Sequence, residues 1–179
     1  MPLTKMKKNL ITFLITSLIW ITTDISAGEN LLKETDVEAA ALKVAKETLE
    51  IGYKLLSVAE VKQMIDTKED FVLIDAHPTD EYDLAYIEGA QHFGFQSNHS
   101  DDWEKDVAMQ GNLSQDNYRA VLGDDKNKKI VIYCGFTKCG RSHNAASWAK
   151  KLGYTNLYRM PGGITAWKDA GYPYKTNVK

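Results

Sequence analysis

Both cysteines of the chain, Cys134 and Cys139, stand five residues apart in the stretch YCGFTKCGRSH (Tyr133–His143). Lys138 precedes the second cysteine, and Arg141, Ser142 and His143 follow it. A thiol reacts as its thiolate, and nearby cations, loop amides and a helix N-terminus all favour that charged form. The hydrophobic run KIVIY (Lys129–Tyr133) leads in and a helix-like pattern leads out. Cys134 therefore stands where a buried strand gives way to a loop entering a helix, the place where reactive groups gather in open α/β sheets. The loop amides from Gly135 onward, with Lys138 and Arg141, could hold a thiolate or an anionic substrate. Ser142 and His143 fall in the first turn of the helix, where His143 could lower a thiol pKa. The chemistry implied is a nucleophilic cysteine acting on something negatively charged.

The thiols read differently once the first residues are considered. The chain opens with Lys5, Lys7 and Lys8, runs apolar from about Leu10 to Ile21, and reaches small residues at Ser26 and Ala27. That is the layout of a secretory signal peptide over residues 1–27, with an apolar run shorter than the ~20 residues that span a bilayer. An uncleaved anchor is the second choice. Export to a bacterial periplasm is the expectation, with no permanent membrane span after cleavage. In an oxidising compartment a cysteine pair usually reads as a structural disulfide. A bridge between Cys134 and Cys139 would close a very short loop, however, and so stabilise the fold little. The pair is better read as chemistry than as a staple.

The positioning elements follow from apolar spacing. With 179 residues, 44% of them apolar, and a formal charge of −2, the chain suits one soluble domain with a small appendage and shows no nucleic-acid signature. Glu34–Gly52 reads as a helix, with Thr35 and Glu38 at capping-box spacing and Leu42, Ala45 and Leu49 as its packed stripe. Residues 28–53 thus form a helical extension, and residues 54–176 form the main domain. There, strands and helices alternate. FVLIDA (Phe71–Ala76) and KKIVIY (Lys128–Tyr133) are continuous apolar runs expected for strands buried on both faces. NLYRM supplies a further strand, and SVAEVKQMI, SHNAASWAKKLGY and ITAWKDAGYP supply helices, the first with a Ser57–Glu60 capping box. Residues 96–118 read only as loop plus helix. This alternation predicts an α/β fold, a parallel sheet covered on both faces.

VLIDAHPTDEYDLAYIEGAQH followed by IVIYCGFTKCGRSHNAASWAKKLGYTNLYRMPGGITAWKDAGYP resembles the rhodanese (sulfurtransferase) family over roughly residues 55–174. The resemblance implies a rhodanese-like open, five-stranded parallel sheet with helices on both faces. It also implies a cysteine that carries sulfur as a persulfide, taken from a small anionic donor and passed to a thiol acceptor, with no cofactor. By position Cys134 matches that cysteine, Arg141 the loop arginine and Ser142 the start of the next helix, while Asp75 matches as a structural motif element. The chain also departs from the family pattern. The usual loop places arginine five residues after the cysteine, whereas Arg141 is seven after Cys134, and the longer loop holds Cys139. His77 stands where arginine is usual, at the rim or in a structural role, and Tyr86 stands where histidine is frequent.

Two alternatives stay open on the residues. Counting from the strand favours Cys134 as the first nucleophile, and counting back from Arg141–Ser142 favours Cys139. The second thiol could resolve a persulfide or close a reversible disulfide. A periplasmic thiol–disulfide or sulfane-sulfur binding role without thiosulfate turnover is the competing function. Phosphatase chemistry needs arginine six residues after the cysteine and does not fit. His92 and His99 have no metal-ligand spacing, so no metal is expected. Trp103, Trp148 and Trp167 read as core, and Gly162–Gly163 as a turn.

Overall fold

The computed structural model describes residues 33–107 and 113–178. The leader expected at 1–27, the start of the extension (28–32) and Met109 lie outside them. Chain order is α1 (Glu34–Ile51), β1 (Lys54–Leu55), α2 (Val58–Asp66), β2 (Val72–Asp75), α3 (Thr79–Leu84) and β3 (Gln91–His92). Then come α4 (Trp103–Asp106), α5 (Gln115–Leu122), β4 (Ile130–Tyr133), α6 (Arg141–Lys151), β5 (Leu157–Met160) and α7 (Gly163–Asp169). The five strands form one parallel sheet in the order β1-β5-β4-β2-β3. No described helix is long and apolar enough to cross a membrane.

The apolar runs behave as strands buried on both faces should. Every residue of β4 is buried, and alternate side chains enter opposite cores. Ile130 and Ile132 join Tyr118, Leu122, Ala145 and Trp148 on one face. Val131 and Tyr133 join Val61, Met64, Ile164 and Trp167 on the other. Trp103, Trp148 and Trp167 are core residues, as expected. Register aligns the strand ends, since Asp75 of β2 and Met160 of β5 both lie opposite Tyr133 of β4. The chain segments that leave these strands therefore emerge side by side, and the first residue beyond β4 is Cys134.

Two expectations about α1 are corrected. The helix begins after Lys33, with no side-chain cap, so Thr35 lies inside the first turn and forms no capping box. The inward face is Val44 and Glu47, while Leu42 and Leu49 are exposed. A buried cation, described below, selects the carboxylate face over the leucines. By contrast, the Ser57–Glu60 capping box of α2 is formed. Among its described residues the stretch read as loop plus helix holds α4 and the first turn of α5. It is organised around buried Asp106, which accepts hydrogen bonds from the Ser100 amide and hydroxyl and from Trp148 Nε1. Carboxylate hubs of this kind leave no periodic trace in a sequence.

Candidate active site

The cysteine loop is fastened at both ends. At its start, the Cys134 carbonyl accepts from Ile164 N at 2.8 Å and the Gly135 carbonyl from Thr165 N at 2.9 Å. These donors are first-turn amides of α7, which have no partner within their own helix. The approach requires Gly163, which has φ +60° and whose Cβ would collide with the Cys134 carbonyl. The turn read at Gly162–Gly163 is thus the clamp of the loop. At the other end, Gly140 presses against the Ser97 carbonyl where no Cβ fits, and Asn144 Nδ2 donates to Gln96 O at 2.6 Å. Cys139 N closes an internal turn on Phe136 O at 2.9 Å, and α6 begins two residues later.

Both thiols are free and buried, and each bears on the other's titration. The environment divides them. The Cys134 thiol donates to Cys139 and is the largest influence holding Cys139 down at about 5, against the cost of burial; the Gly135 and Arg141 amides and the Arg141 charge assist. Burial, then the Cys139 thiolate, pushes Cys134 well above the ordinary thiol range. At neutral pH the negative charge sits on Cys139 and the proton on Cys134. Cys134 Sγ also lies 3.2 Å from Ser142 Oγ and 3.7 Å from the Cys139 carbonyl oxygen.

Behind the loop stands Arg159 of β5, fully buried. Its Nη2 donates to the Cys139 carbonyl at 2.7 Å and its Nε to Ser142 Oγ at 2.7 Å. Its Nη1 donates to the Glu47 carboxylate of α1 and to the Tyr53 hydroxyl. Glu47 is held below the usual carboxylate range because Lys43 and Arg159 outweigh its burial. The Tyr53 hydroxyl meets His143 Nδ1 at 3.2 Å, and burial lowers the His143 pKa. In front of the loop, Arg141 Nη1 lies 3.8 Å from Cys139 Sγ, and both its terminal nitrogens reach Glu81 of α3, at 3.0 and 3.4 Å. His77 pairs through Nδ1 with buried Asp75 at 2.7 Å, and its Nε2 lies 3.7 Å from Glu81. Burial disfavours its charge, but Asp75, Glu81 and Cys139 outweigh burial and raise its pKa.

A rhodanese-like domain pattern matches residues 57–170. The chain belongs to the rhodanese-like domain family. It is similar to the thiosulfate sulfurtransferase GlpE of Pseudoalteromonas translucida, 27% identical over 120 residues covering 67% of this chain and 93% of that one. It is also similar to the tRNA uridine(34) hydroxylase of Erwinia tasmaniensis, 29% identical over 129 residues, 69% of this chain but 32% of the hydroxylase. The chain thus spans about a third of that relative. Among solved folds, the polysulfide-sulfur transferase homodimer of Wolinella succinogenes superposes with a TM-score of 0.52 at 19% identity, covering 80% of this chain and 90% of that one. BH2092 of Bacillus halodurans gives 0.55 at 19% identity, covering 79% and 87%.

Within this rhodanese-like fold the residues singled out from the sequence separate into groups. Gly135, Cys134, Cys139, Arg141, His77 and Asp75 converge on the thiol pair. Ser142 is present but buried beneath Cys134, facing Arg159 rather than an incoming substrate. Lys138 points outward, half-exposed, 3.6 Å from Asp36 of α1. His143, expected to lower a thiol pKa, is buried and turns toward Tyr53 and α1 instead. Sequence reasoning missed Arg159, Glu47 and Tyr53, and Glu81 entered only as part of the family motif. An arginine inside the strand NLYRM was the one available signal, since a charge in a buried parallel strand demands a partner. Among the described residues no cluster suited to a metal ion is present.

Proposed function

We propose that this rhodanese-like protein is a sulfurtransferase that carries sulfane sulfur as a persulfide on Cys139. The observation that carries the reading is the Cys139 sulfur lying 3.8 Å from Arg141 Nη1 in the fastened loop, a setting that pulls its pKa down to about 5. With thiosulfate as donor, the Cys139 thiolate attacks the outer sulfur and the S–S bond of thiosulfate breaks. Sulfite departs with both bonding electrons, and the anionic persulfide remains on Cys139. A thiolate acceptor then attacks the outer persulfide sulfur and leaves with it, which restores the Cys139 thiolate. Arg141 and His77, whose charged form is favoured by Asp75 and Glu81 against its burial, face the position where the departing anion gathers charge. Similarity to proteins named thiosulfate sulfurtransferase supports the donor class. The leader read in residues 1–27 supports action after export.

The test is intact mass after the reduced protein is mixed with thiosulfate or inorganic polysulfide. One added sulfur atom per chain, removed by cyanide and absent in Cys139→Ser, is expected. Full loading of Cys139→Ser would move the carrier to Cys134. No loading from either donor would leave the thiol–disulfide or sulfur-binding role as the better reading.

A further inference from the structure

We propose that Cys134 is a resolving thiol, so that the protein also reduces the sulfur it captures and releases it as hydrosulfide. This rests on the persulfide reading of Cys139. Both thiols are buried in one fastened loop, with Cys134 Sγ 3.7 Å from the Cys139 carbonyl oxygen and Cys134 the less exposed of the two. A donor arrives from solvent, so the captured sulfur points outward, away from Cys134. Displacement at sulfur needs the attacking and leaving atoms on opposite sides of the central one. Cys134 is therefore placed to attack Cys139 Sγ itself, not the outer sulfur.

The step balances without another reagent. A bond forms between Cys134 Sγ and Cys139 Sγ, and the bond from Cys139 Sγ to the outer sulfur breaks. The outer sulfur leaves with the electron pair, takes the proton that Cys134 brought, and departs as hydrosulfide. The two cysteine sulfurs are each oxidised by one electron, and the released sulfur is reduced by two. The product is a Cys134–Cys139 disulfide. Turnover then needs a dithiol reductant, small-molecule or protein, which takes the disulfide back to two thiols.

A second feature suits this step. Ser142 Oγ lies 3.2 Å from Cys134 Sγ and accepts a hydrogen bond from Arg159 Nε at 2.7 Å. With that lone pair engaged, the hydroxyl hydrogen is free to turn to Cys134 and stabilise its sulfur as the proton leaves.

The experiment is a single turnover without added thiol. Reduced protein and a Cys134→Ala variant are each loaded with thiosulfate, and separately with inorganic polysulfide followed by rapid desalting. Released sulfide and intact mass are then followed. The expected result is about one sulfide per wild-type chain, with a final mass two hydrogens below the reduced protein. Cys134→Ala should keep its added sulfur and release at least tenfold less sulfide. Cys134→Ser, which retains a polar group of similar size, should behave like the alanine variant. If the wild-type chain holds its persulfide as long as the variants do, resolution is wrong and the carrier reading stands. If neither wild type nor either variant gains sulfur, the carrier reading fails and this inference with it.

Discussion

The two sides of the cysteine loop are both built from charge, yet they are built for different purposes. Behind the loop, Arg159 and Glu47 are 0% and 10% exposed and fix the Cys139 carbonyl and Ser142. In front, Arg141 and Glu81 are 21% and 42% exposed and lie beside the Cys139 sulfur. Buried charges are costly to desolvate and must stay paired, so the rear pair is permanent structure. Half-exposed charges exchange partners cheaply, so the front pair can yield to a substrate. The rear pair also fastens α1, which lies outside the matched family segment, to the back of the loop.

The sharpest way to break this contrast is at the rear. Arg159→Met leaves Glu47 and the Cys139 carbonyl without their buried partner. Breaking one member of such a pair costs on the order of 3–5 kcal/mol. Denaturant unfolding should show that loss, and Arg159→Met combined with Glu47→Leu should recover much of it, because no charge is then stranded. Additive losses in the double variant would mean that the two side chains are not coupled and that α1 is held by apolar contacts alone.

The next test reads the field at the thiols. With Cys139 held at about 5, its thiolate absorbance and its alkylation rate should stay level from pH 8 to pH 6 and fall tenfold per unit below about 5. The sign for stability follows. Unfolding returns the thiol to its ordinary value of 9.0, so between about pH 5 and pH 9 the unfolded chain binds more protons at this group. Its contribution to stability therefore grows as pH rises through that window and is lost as pH falls through 5. Cys134→Ala removes the donated hydrogen bond that is the largest influence, and should move the titration upward. An unchanged titration in that variant would show that the loop amides and Arg141 suffice.

What the sequence discloses follows the same division. FVLIDA and KKIVIY announce themselves because parallel strands are apolar on both faces, and they deliver Cys134 to the carboxyl end of the central strand. The front groups Asp75, His77 and Arg141 are legible for the same reason, since each closely follows a strand end or opens a helix. The rear network is not legible. Glu47 and Arg159 are 112 residues apart, and neither declares the other. Leu42 and Leu49 suggest a packed stripe on α1, but a buried guanidinium fixes the helix rotation through Glu47, and the leucines remain outside. The division of charge between the two thiols is equally hidden. It depends on how deeply each sulfur is buried and which one donates to the other, with the Gly135 and Arg141 amides assisting, properties of the folded loop rather than of spacing.

The smallest expected effect tests whether the front pair is a gate. Glu81 occupies the guanidinium that a dianionic donor would use, and it also lies 3.7 Å from His77 Nε2. An exposed ion pair of this kind contributes about 0–1 kcal/mol, so Glu81→Gln should leave unfolding stability almost unchanged. It should nevertheless free Arg141 and remove a negative charge from the donor's path. KM for thiosulfate should fall several-fold, and the fall should shrink as salt is raised, because the removed repulsion is screened. A donor of low charge, such as an organic persulfide, should show little change. If both donors improve equally, Glu81 acts by bulk and not by charge. If Glu81→Gln loses activity, the carboxylate is a support for His77 and Arg141, and the front of the loop is as fixed as the rear.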